Sequence, residues 1–261
     1  MDAPHTPDPS QGVFETLLAF EGEPVELGAH LDRLAASLAT LFAATPPPGL
    51  AGQIAALAQG LRLGRVRVAV APGAAEPRAA LAVEQVDPGD FFPAWERGAR
   101  LRSLPCEGGL GRHKWADRRP LEGGDAGTVP LLFDRGDEAL EAGRANLFAV
   151  VGQALVTPAA DGRILPGIAR AGAIAAAQEA GIEVIEQPLR RADLLAAEEV
   201  FLTGSVRGVE PACSLDGVPL AAATPVSRRV GAGLRRRWLG ATLATAAPAP
   251  AAEPPPGQLA R

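Results

Sequence analysis

The sequence predicts a mixed α+β chain organised in two halves. Three observations lead there. Short apolar runs with strand-like alternation recur along most of the chain. Between them stand stretches whose apolar residues return every three to four positions, as on one face of a helix. Near the middle, Gly108-Gly109-Leu110-Gly111 forms a flexible connection that separates the halves.

The elements follow in order. Residues 1–11 are rich in Pro and polar residues and read as loose. Val13 to Phe20 reads as a strand that ends in the turn Glu21-Gly22-Glu23-Pro24. From His30 the period changes: Leu31, Leu34, Leu38, Leu41 and Phe42 share one helical face, and Pro46-Pro47-Pro48 stops the helix. A second helix is expected from Leu50 to Leu61, with Ile54 and Leu57 on its apolar side. Arg65 to Val70 alternates as a strand, and Ala79 to Val86 and Ala99 to Leu104 are further strand candidates. In the second half, Asn146 to Val151 and Ala154 to Thr157 form a hairpin pattern around Gly152-Gln153. Leu165-Pro166-Gly167 leads into an Ala-rich helix to Ala180, and Ile182 to Ile185 reads as a strand. Asp193 is placed to cap a short helix from Leu194 to Ala197. Val200 to Thr203 is a strand running into Gly204-Ser205, and Asp216-Gly217 signals a hairpin turn. Val226, Val230, Leu234 and Leu239 mark a last amphipathic helix, and residues 246–261 read as a disordered Ala/Pro tail.

Composition narrows the function classes. A net charge of −5 argues against a nucleic-acid footprint, and Arg235-Arg236-Arg237 reads as a solvated helix face. Cys106 and Cys213 lie far apart with no CxxC, which argues against a zinc site of the usual spacing or a disulfide framework, and no metal is expected. No secretory signal or membrane-length apolar run is visible, so a cytoplasmic protein is expected. Of 25 Lys plus Arg, one is lysine, Lys114. Arginine stays protonated, whereas a partly buried lysine can lose its proton and attack a carbonyl.

Several features fit one task, holding pyridoxal 5′-phosphate. That cofactor needs an amine for its aldehyde, an acid at its ring nitrogen and donors for its phosphate. Lys114 offers the amine. Gly167-Ile168-Ala169 opens a helix straight after a proline, where free backbone N–H groups can seat an anion. Gly204-Ser205 can add a hydroxyl, and Arg33 a forked guanidinium. The Gly108–Gly111 cluster lacks the GxxxxGK[ST] spacing of a phosphate loop and reads as a connection.

The motifs Gly12-Val13-Phe14-Glu15-Thr16, His30-Leu31-Asp32-Arg33-Leu34, Asn146-Leu147-Phe148, Thr157-Pro158, Leu165-Pro166-Gly167-Ile168-Ala169-Arg170 and Phe201-Leu202-Thr203-Gly204-Ser205 resemble, in order, those of the class IV (branched-chain-type) pyridoxal-phosphate aminotransferases. The resemblance covers about residues 12 to 220. It implies a smaller N-terminal α/β domain, residues 12–107, a linker at 108–113, and a larger C-terminal pseudo-barrel-like cofactor domain, residues 114–245. The cofactor would lie between the domains. It implies that Lys114 is the Schiff-base lysine and proton shuttle, that Arg33 binds the phosphate, and that Glu141 meets the pyridine nitrogen, with Glu138 as the competitor. The backbone of Ile168 and Ala169 and the Ser205 hydroxyl would complete the phosphate site. It further implies a small amino substrate and a homodimer.

Departures from the family pattern carry information. Before the first strand this chain keeps only Ser10-Gln11-Gly12 of a longer family lead-in. Branched-chain members place a tyrosine a few residues after the lysine, and this chain has no tyrosine. Lys114-Trp115-Ala116-Asp117-Arg118 is closer to the Lys-x-x-Asn-Arg run of the family's aminodeoxychorismate lyases, with Asp for Asn. The expectation is therefore a lyase converting 4-amino-4-deoxychorismate to 4-aminobenzoate and pyruvate, in folate synthesis. An aminotransferase acting on branched-chain or D-amino acids is the alternative, and a non-catalytic cofactor-binding homologue is the second. Arg207 and Arg112 are the candidates for holding a substrate carboxylate.

Overall fold

A computed structural model describes residues 6–73 and 76–240; the tail expected at 246–261 lies outside the described residues. The first sheet is built from β1 (Val13–Phe20), β2 (Glu23–Pro24), β3 (Leu63–Ala71) and β4 (Arg78–Gln85), in the order β2-β1-β3-β4 and antiparallel throughout. Between β2 and β3 the chain forms α1 (Leu27–Phe42) and α2 (Leu50–Ala58). The two helices cover one face of the sheet. Leu34, Leu38, Leu50 and Ile54 pack there against Val13, Leu17, Val66, Val68 and Val70. Strand alternation sends Phe14, Thr16, Arg65 and Arg67 to the opposite face, which lines a cavity.

The second sheet comprises β5 (Ala99–Pro105), β6 (Thr128–Asp134), β7 (Glu138–Ala142), β8 (Ala145–Val151), β9 (Ala154–Thr157), β10 (Val184–Glu186), β11 (Leu189–Arg190), β12 (Glu199–Gly204), β13 (Gly208–Leu215) and β14 (Val218–Pro219). Its central order is β8-β12-β13-β5-β6-β7, and β7 pairs back onto β8. Six strands thus close a barrel. Inside it lie Leu101, Leu131, Phe133, Leu147, Ala149, Leu202 and Ala212. α3 (Ile168–Glu179) and α5 (Pro225–Leu239) pack on its outer face, where Ala173, Ala177, Val230 and Leu234 meet Phe148 and Phe201. The short α4 (Arg191–Ala196) contributes Leu194 to the barrel core. Closure removes free strand edges and gives the chain a rigid rim on which to mount a site.

The architecture is the mixed two-part fold expected, with four corrections. The change of sheet comes at 86–98, before the glycine cluster expected as the linker, because Ala99–Pro105 pairs with β6 and β13 rather than with the first sheet. β6 and β7 are strands where no strand was expected, and β13 runs the whole way from Gly208 to the hairpin turn expected at Asp216-Gly217. The glycines, prolines and charges around 119–138 mask the pattern there, and Pro211 interrupts it in β13. Asp193 does not sit at the start of α4. It lies three positions into the capping box, and its carboxylate accepts from the Arg190 amide at 2.7 Å. Finally, Pro9–Gln11, inside the stretch expected to be loose, forms a 3₁₀ turn that Asp8 caps, and the Asp8 amide donates to Asp117 Oδ2 at 2.9 Å.

Candidate active site

Lys114 is fixed by its backbone. Its carbonyl accepts from the Phe14 amide at 2.8 Å, and Ala116 donates to the Gly12 carbonyl at 3.0 Å, so the lysine segment adds a short rung to the start of β1. Gly12, which accepts this bond, also lets the start of β1 sit against β3. It has φ +79°, and a Cβ there would stand 2.0 Å from the Val70 carbonyl oxygen. The Lys114 Nζ lies 4.8 Å from the centroid of the Phe14 ring. Burial lowers its pKa to about 8, reinforced by Arg33 and Arg118, while Glu15 and Glu141 pull the other way.

On the helix side of β1, Glu15 is buried and closes a charged cluster with α1. It accepts from Arg33 Nε at 2.8 Å and Arg33 Nη2 at 2.7 Å, and from His30 Nδ1 at 2.7 Å. Burial alone would raise the Glu15 carboxyl, but these bonds outweigh it and bring it down to about 2. Burial lowers the His30 pKa, so the ring is neutral near pH 7. Arg33 Nη1 donates to the Pro166 carbonyl at 3.0 Å, which ties α1 to the turn before α3. These bonds leave one N–H on each terminal nitrogen of Arg33.

The first hydrogen bond inside α3 runs from the Ala171 amide to the Gly167 carbonyl, which leaves the Ile168 and Ala169 amides without helical acceptors. Glu141, on β7, is buried and pairs across the ladder with Asn146 on β8. Its carboxyl accepts from the Leu165 amide at 3.2 Å, and Asn146 Nδ2, 3.4 Å away, also donates to the Leu165 carbonyl at 2.9 Å. Burial raises the Glu141 pKa to about 8, against the opposing pull of the Leu165 amide, Lys114, Arg118 and Arg33. A Cβ at Gly167 would lie 1.9 Å from Asn146 Oδ1, so a glycine is required where the turn passes that amide. Thr203 Oγ1, on β12 opposite Asn146, is buried with no partner among the described residues.

Lys114, Ser205, Arg118, Phe14 and Arg67 line one cavity of about 590 Å³ between the first sheet and the barrel. Lys114, Arg118, Glu141, Asn146 and Leu165 line a small recess of about 40 Å³. Lys114 and Arg118 belong to both. A separate groove of about 420 Å³ between Phe92–Trp95 and α5 holds none of these residues.

Of the residues singled out from sequence, Lys114 and Ser205 share the cavity, and Glu141 lies in the adjoining recess. Arg33 reaches the turn that opens α3 at Ile168 and Ala169. Glu138 stands apart, paired with Arg163 at 2.8 Å. Arg207 lines the cavity but is held by Asp90 and Glu210, and Arg112 is exposed outside it. Four neighbours of the lysine were not singled out: Glu15, Asn146, Arg67 and Arg118. Two of them carried a signal, because an acid inside the apolar run Val13–Phe20 and an amide opening the run Asn146–Val151 are polar residues in strands otherwise fit for a core.

The donor set suits a phosphorylated pyridine aldehyde. An amine brought near neutrality faces the cavity, a buried carboxyl that keeps its proton stands next to it, and an arginine with two free N–H bonds adjoins a helix N-terminus. A barrel that brings an amine, a buried acid and phosphate donors to one cavity defines a candidate pyridoxal-phosphate site. The family model "Amino-transferase class IV" matches residues 12–93 and 122–215, and the chain belongs to that family, whose cofactor is pyridoxal 5′-phosphate. Lys114 falls between the two matched segments. The crystal structure of 4-amino-4-deoxychorismate lyase from Pseudomonas aeruginosa is similar over 90% of this chain and 95% of its own, at 25% identity and a TM-score of 0.72. The D-alanine aminotransferase of Listeria monocytogenes is 27% identical over 246 residues, 80% of each chain. The branched-chain-amino-acid aminotransferase of Salmonella typhimurium is 41% identical over 87 residues, and that match spans 33% of this chain and 28% of the relative.

Among the described residues, no helix is long and apolar enough to cross a membrane.

Proposed function

We propose that the protein is a pyridoxal-phosphate-dependent lyase that converts 4-amino-4-deoxychorismate to 4-aminobenzoate and pyruvate, a step of folate synthesis. One observation carries this reading. In the run Lys114-Trp115-Ala116-Asp117-Arg118, which resembles that of the family's lyases, the arginine stands over the same Phe14 ring as the lysine. The near full-length similarity to the Pseudomonas lyase supports it.

Bound pyridoxal 5′-phosphate supplies an aldehyde that bonds amines and a ring that takes up negative charge. Arg33, the Ile168 and Ala169 amides and the Ser205 hydroxyl would hold its phosphate, Glu141 would hold a proton at the pyridine nitrogen, and Lys114 would be the amine for the aldehyde. The freed Lys114 Nζ would take the proton from the amine-bearing carbon of the substrate, and an equivalent proton returned to the methylene of the departing enolpyruvyl group would give pyruvate and the aromatic 4-aminobenzoate. With a pKa of about 8, roughly a tenth of such amines are neutral at pH 7, against about one in three thousand at the ordinary 10.5. The family resemblance adds a homodimer, which light scattering tests; the cytoplasmic setting expected from the sequence is tested by cell fractionation.

The deciding experiment is pyruvate release from 4-amino-4-deoxychorismate with no keto acid acceptor present. Release at a catalytic rate supports the lyase. Amino transfer to 2-oxoglutarate or pyruvate without it would establish the aminotransferase reading, which the similarity to the Listeria D-alanine aminotransferase favours.

A further inference from the structure

The groove between Phe92–Trp95 and α5 stands apart from the lysine cavity, and no step at Lys114 uses it. Its volume is about 420 Å³. Phe92, Pro93, Trp95, Val209 and Pro211 form walls that suit an apolar body. Its charge is one-sided. Arg228, Arg235 and Arg236 line it and no acid does. Among the described residues none of the three takes part in an ion pair, although their neighbour Arg237 pairs with Glu179.

Two residues single this groove out. The first is Arg235, whose guanidinium carbon lies 5.3 Å from the Phe91 ring centroid and 5.8 Å from that of Phe92. Aromatic faces attract a cation but leave its charge in place. The Arg235 Nε is buried and has no hydrogen-bond acceptor among the described residues. A buried charged donor left unpaired is costly, so this guanidinium calls for an acceptor from outside the chain. The second residue is Phe92. Its φ is +52°, a left-handed backbone that a bulky side chain rarely adopts. Its amide donates to the Arg207 carbonyl at 3.0 Å, and its ring rests on Gly208, where a Cβ would lie 2.4 Å from it. The backbone is thus strained to hold an aromatic wall beside Arg235.

We propose that this groove is a second ligand site, which binds a small aromatic carboxylate with its ring against Trp95 and Val209 and its carboxylate on the Arg235 guanidinium. A planar guanidinium fork meets a carboxylate through paired N–H bonds, which fixes orientation as well as charge. Arg228 and Arg236, both exposed, add attraction over a longer range. The site is separate from the substrate cavity. Along β13 the side chains alternate, with Val209 and Pro211 lining the groove and Glu210 the cavity. The groove keeps this role whichever reaction Lys114 serves.

Its test uses the cofactor-loaded protein and 4-benzoylbenzoate, an aromatic carboxylate whose ketone cross-links to nearby C–H bonds under near-ultraviolet light. Peptide mass spectrometry locates the cross-link, and its yield against probe concentration gives the affinity at that place. Saturable cross-links are expected on Phe92–Trp95, Val209–Pro211 or α5. Arg235→Gln should weaken them by about tenfold or more, and Arg235→Lys by less, which separates charge from folding. The uncharged 4-benzoylbenzamide should label the parent and Arg235→Gln alike. Gly231→Leu, whose side chain would project toward Val209 and Phe92, should close the groove and abolish its labelling. Arg62→Ala, which changes an exposed arginine paired with Glu21 outside the groove, should label as the parent does. Labelling confined to the lysine cavity, labelling of the groove that never saturates, or equal affinity in the parent and Arg235→Gln would each overturn the site. Should Gly231→Leu fail to fold, the two Arg235 variants decide.

Discussion

The two faces of β1 treat charge in opposite ways. On the helix side, Glu15, His30 and Arg33 satisfy one another: the carboxylate receives three short bonds and its pKa falls to about 2. On the cavity side, Lys114 and Glu141 are both driven toward neutrality, each to about 8, because burial outweighs the bonds offered to their charged forms. The first cluster keeps its charges and holds the structure to them. The second brings an amine and an acid to pKa values near neutral pH, where protons can move between groups. One strand separates the two, and Arg33 is the member of the first that reaches toward the second, through the turn before α3.

The largest effect should come from the cavity side. If Lys114 is both covalent anchor and proton carrier, as proposed, Lys114→Ala should lower turnover by more than about a thousandfold. Borohydride should then no longer fix the cofactor to the chain, as mass spectrometry would read. Covalent fixation retained in that variant would remove Lys114 from its assigned place.

On the helix side the expected loss is of stability. Glu15→Ala leaves a buried histidine and a largely buried arginine without their acceptor, and breaking such a pair costs roughly 3–5 kcal/mol. Urea unfolding at pH 7 measures it. The sign with pH is fixed: a depressed carboxyl contributes stability above its unfolded pKa near 4.5 and loses it as pH falls toward about 2. The gap between parent and variant should therefore narrow in acid. A constant gap from pH 7 to pH 2 would show that Glu15 acts through packing alone.

Glu141 has the opposite sign. The folded protein keeps a proton there that the unfolded chain releases above about 4.5, so stability falls as pH rises through that window to about 8. Glu141→Gln removes the titrating group and keeps the shape. In the cofactor-free protein it should be near neutral at pH 5 and stabilising at pH 9, by a few kcal/mol to order of magnitude. Thermal melting at the two pH values reads the difference, and equal shifts at both would place Glu141 in a solvated setting.

The first sheet and its helices were legible because their apolar periods are uninterrupted: Leu34 and Leu38 on α1 and Val66, Val68 and Val70 on β3 are the residues the pattern marks. The barrel was only half legible. Its closure depends on β7 pairing with β8 and on β5 reaching β13, contacts between distant segments that local pattern does not encode. The same division runs through the site. Lys114 was visible as the single lysine and Arg33 within its motif. Arg67 was hidden because an outward charge on an alternating strand looks like ordinary solvation until the second domain covers that face. The partners of Arg207 were hidden too: Asp90 comes from a distant segment, and Glu210 meets it only across the turn into β13.

Ser205 gives the smallest and most discriminating comparison between the two kinds of group. It sits half-buried in the turn between β12 and β13, on the cavity wall rather than in a core. Its hydroxyl offers one neutral hydrogen bond, worth about 0.5–1.5 kcal/mol, so Ser205→Ala should weaken cofactor binding by roughly two- to twelvefold. The cofactor-free protein should melt as the parent does, because no packing is lost. Titration of pyridoxal 5′-phosphate followed by tryptophan fluorescence, beside melting curves without it, separates the two quantities. Unchanged cofactor affinity with a lowered melting point would move Ser205 from the cavity side of β1 to the structural one, and would leave Arg33 and the opening amides of α3 to hold the phosphate without it.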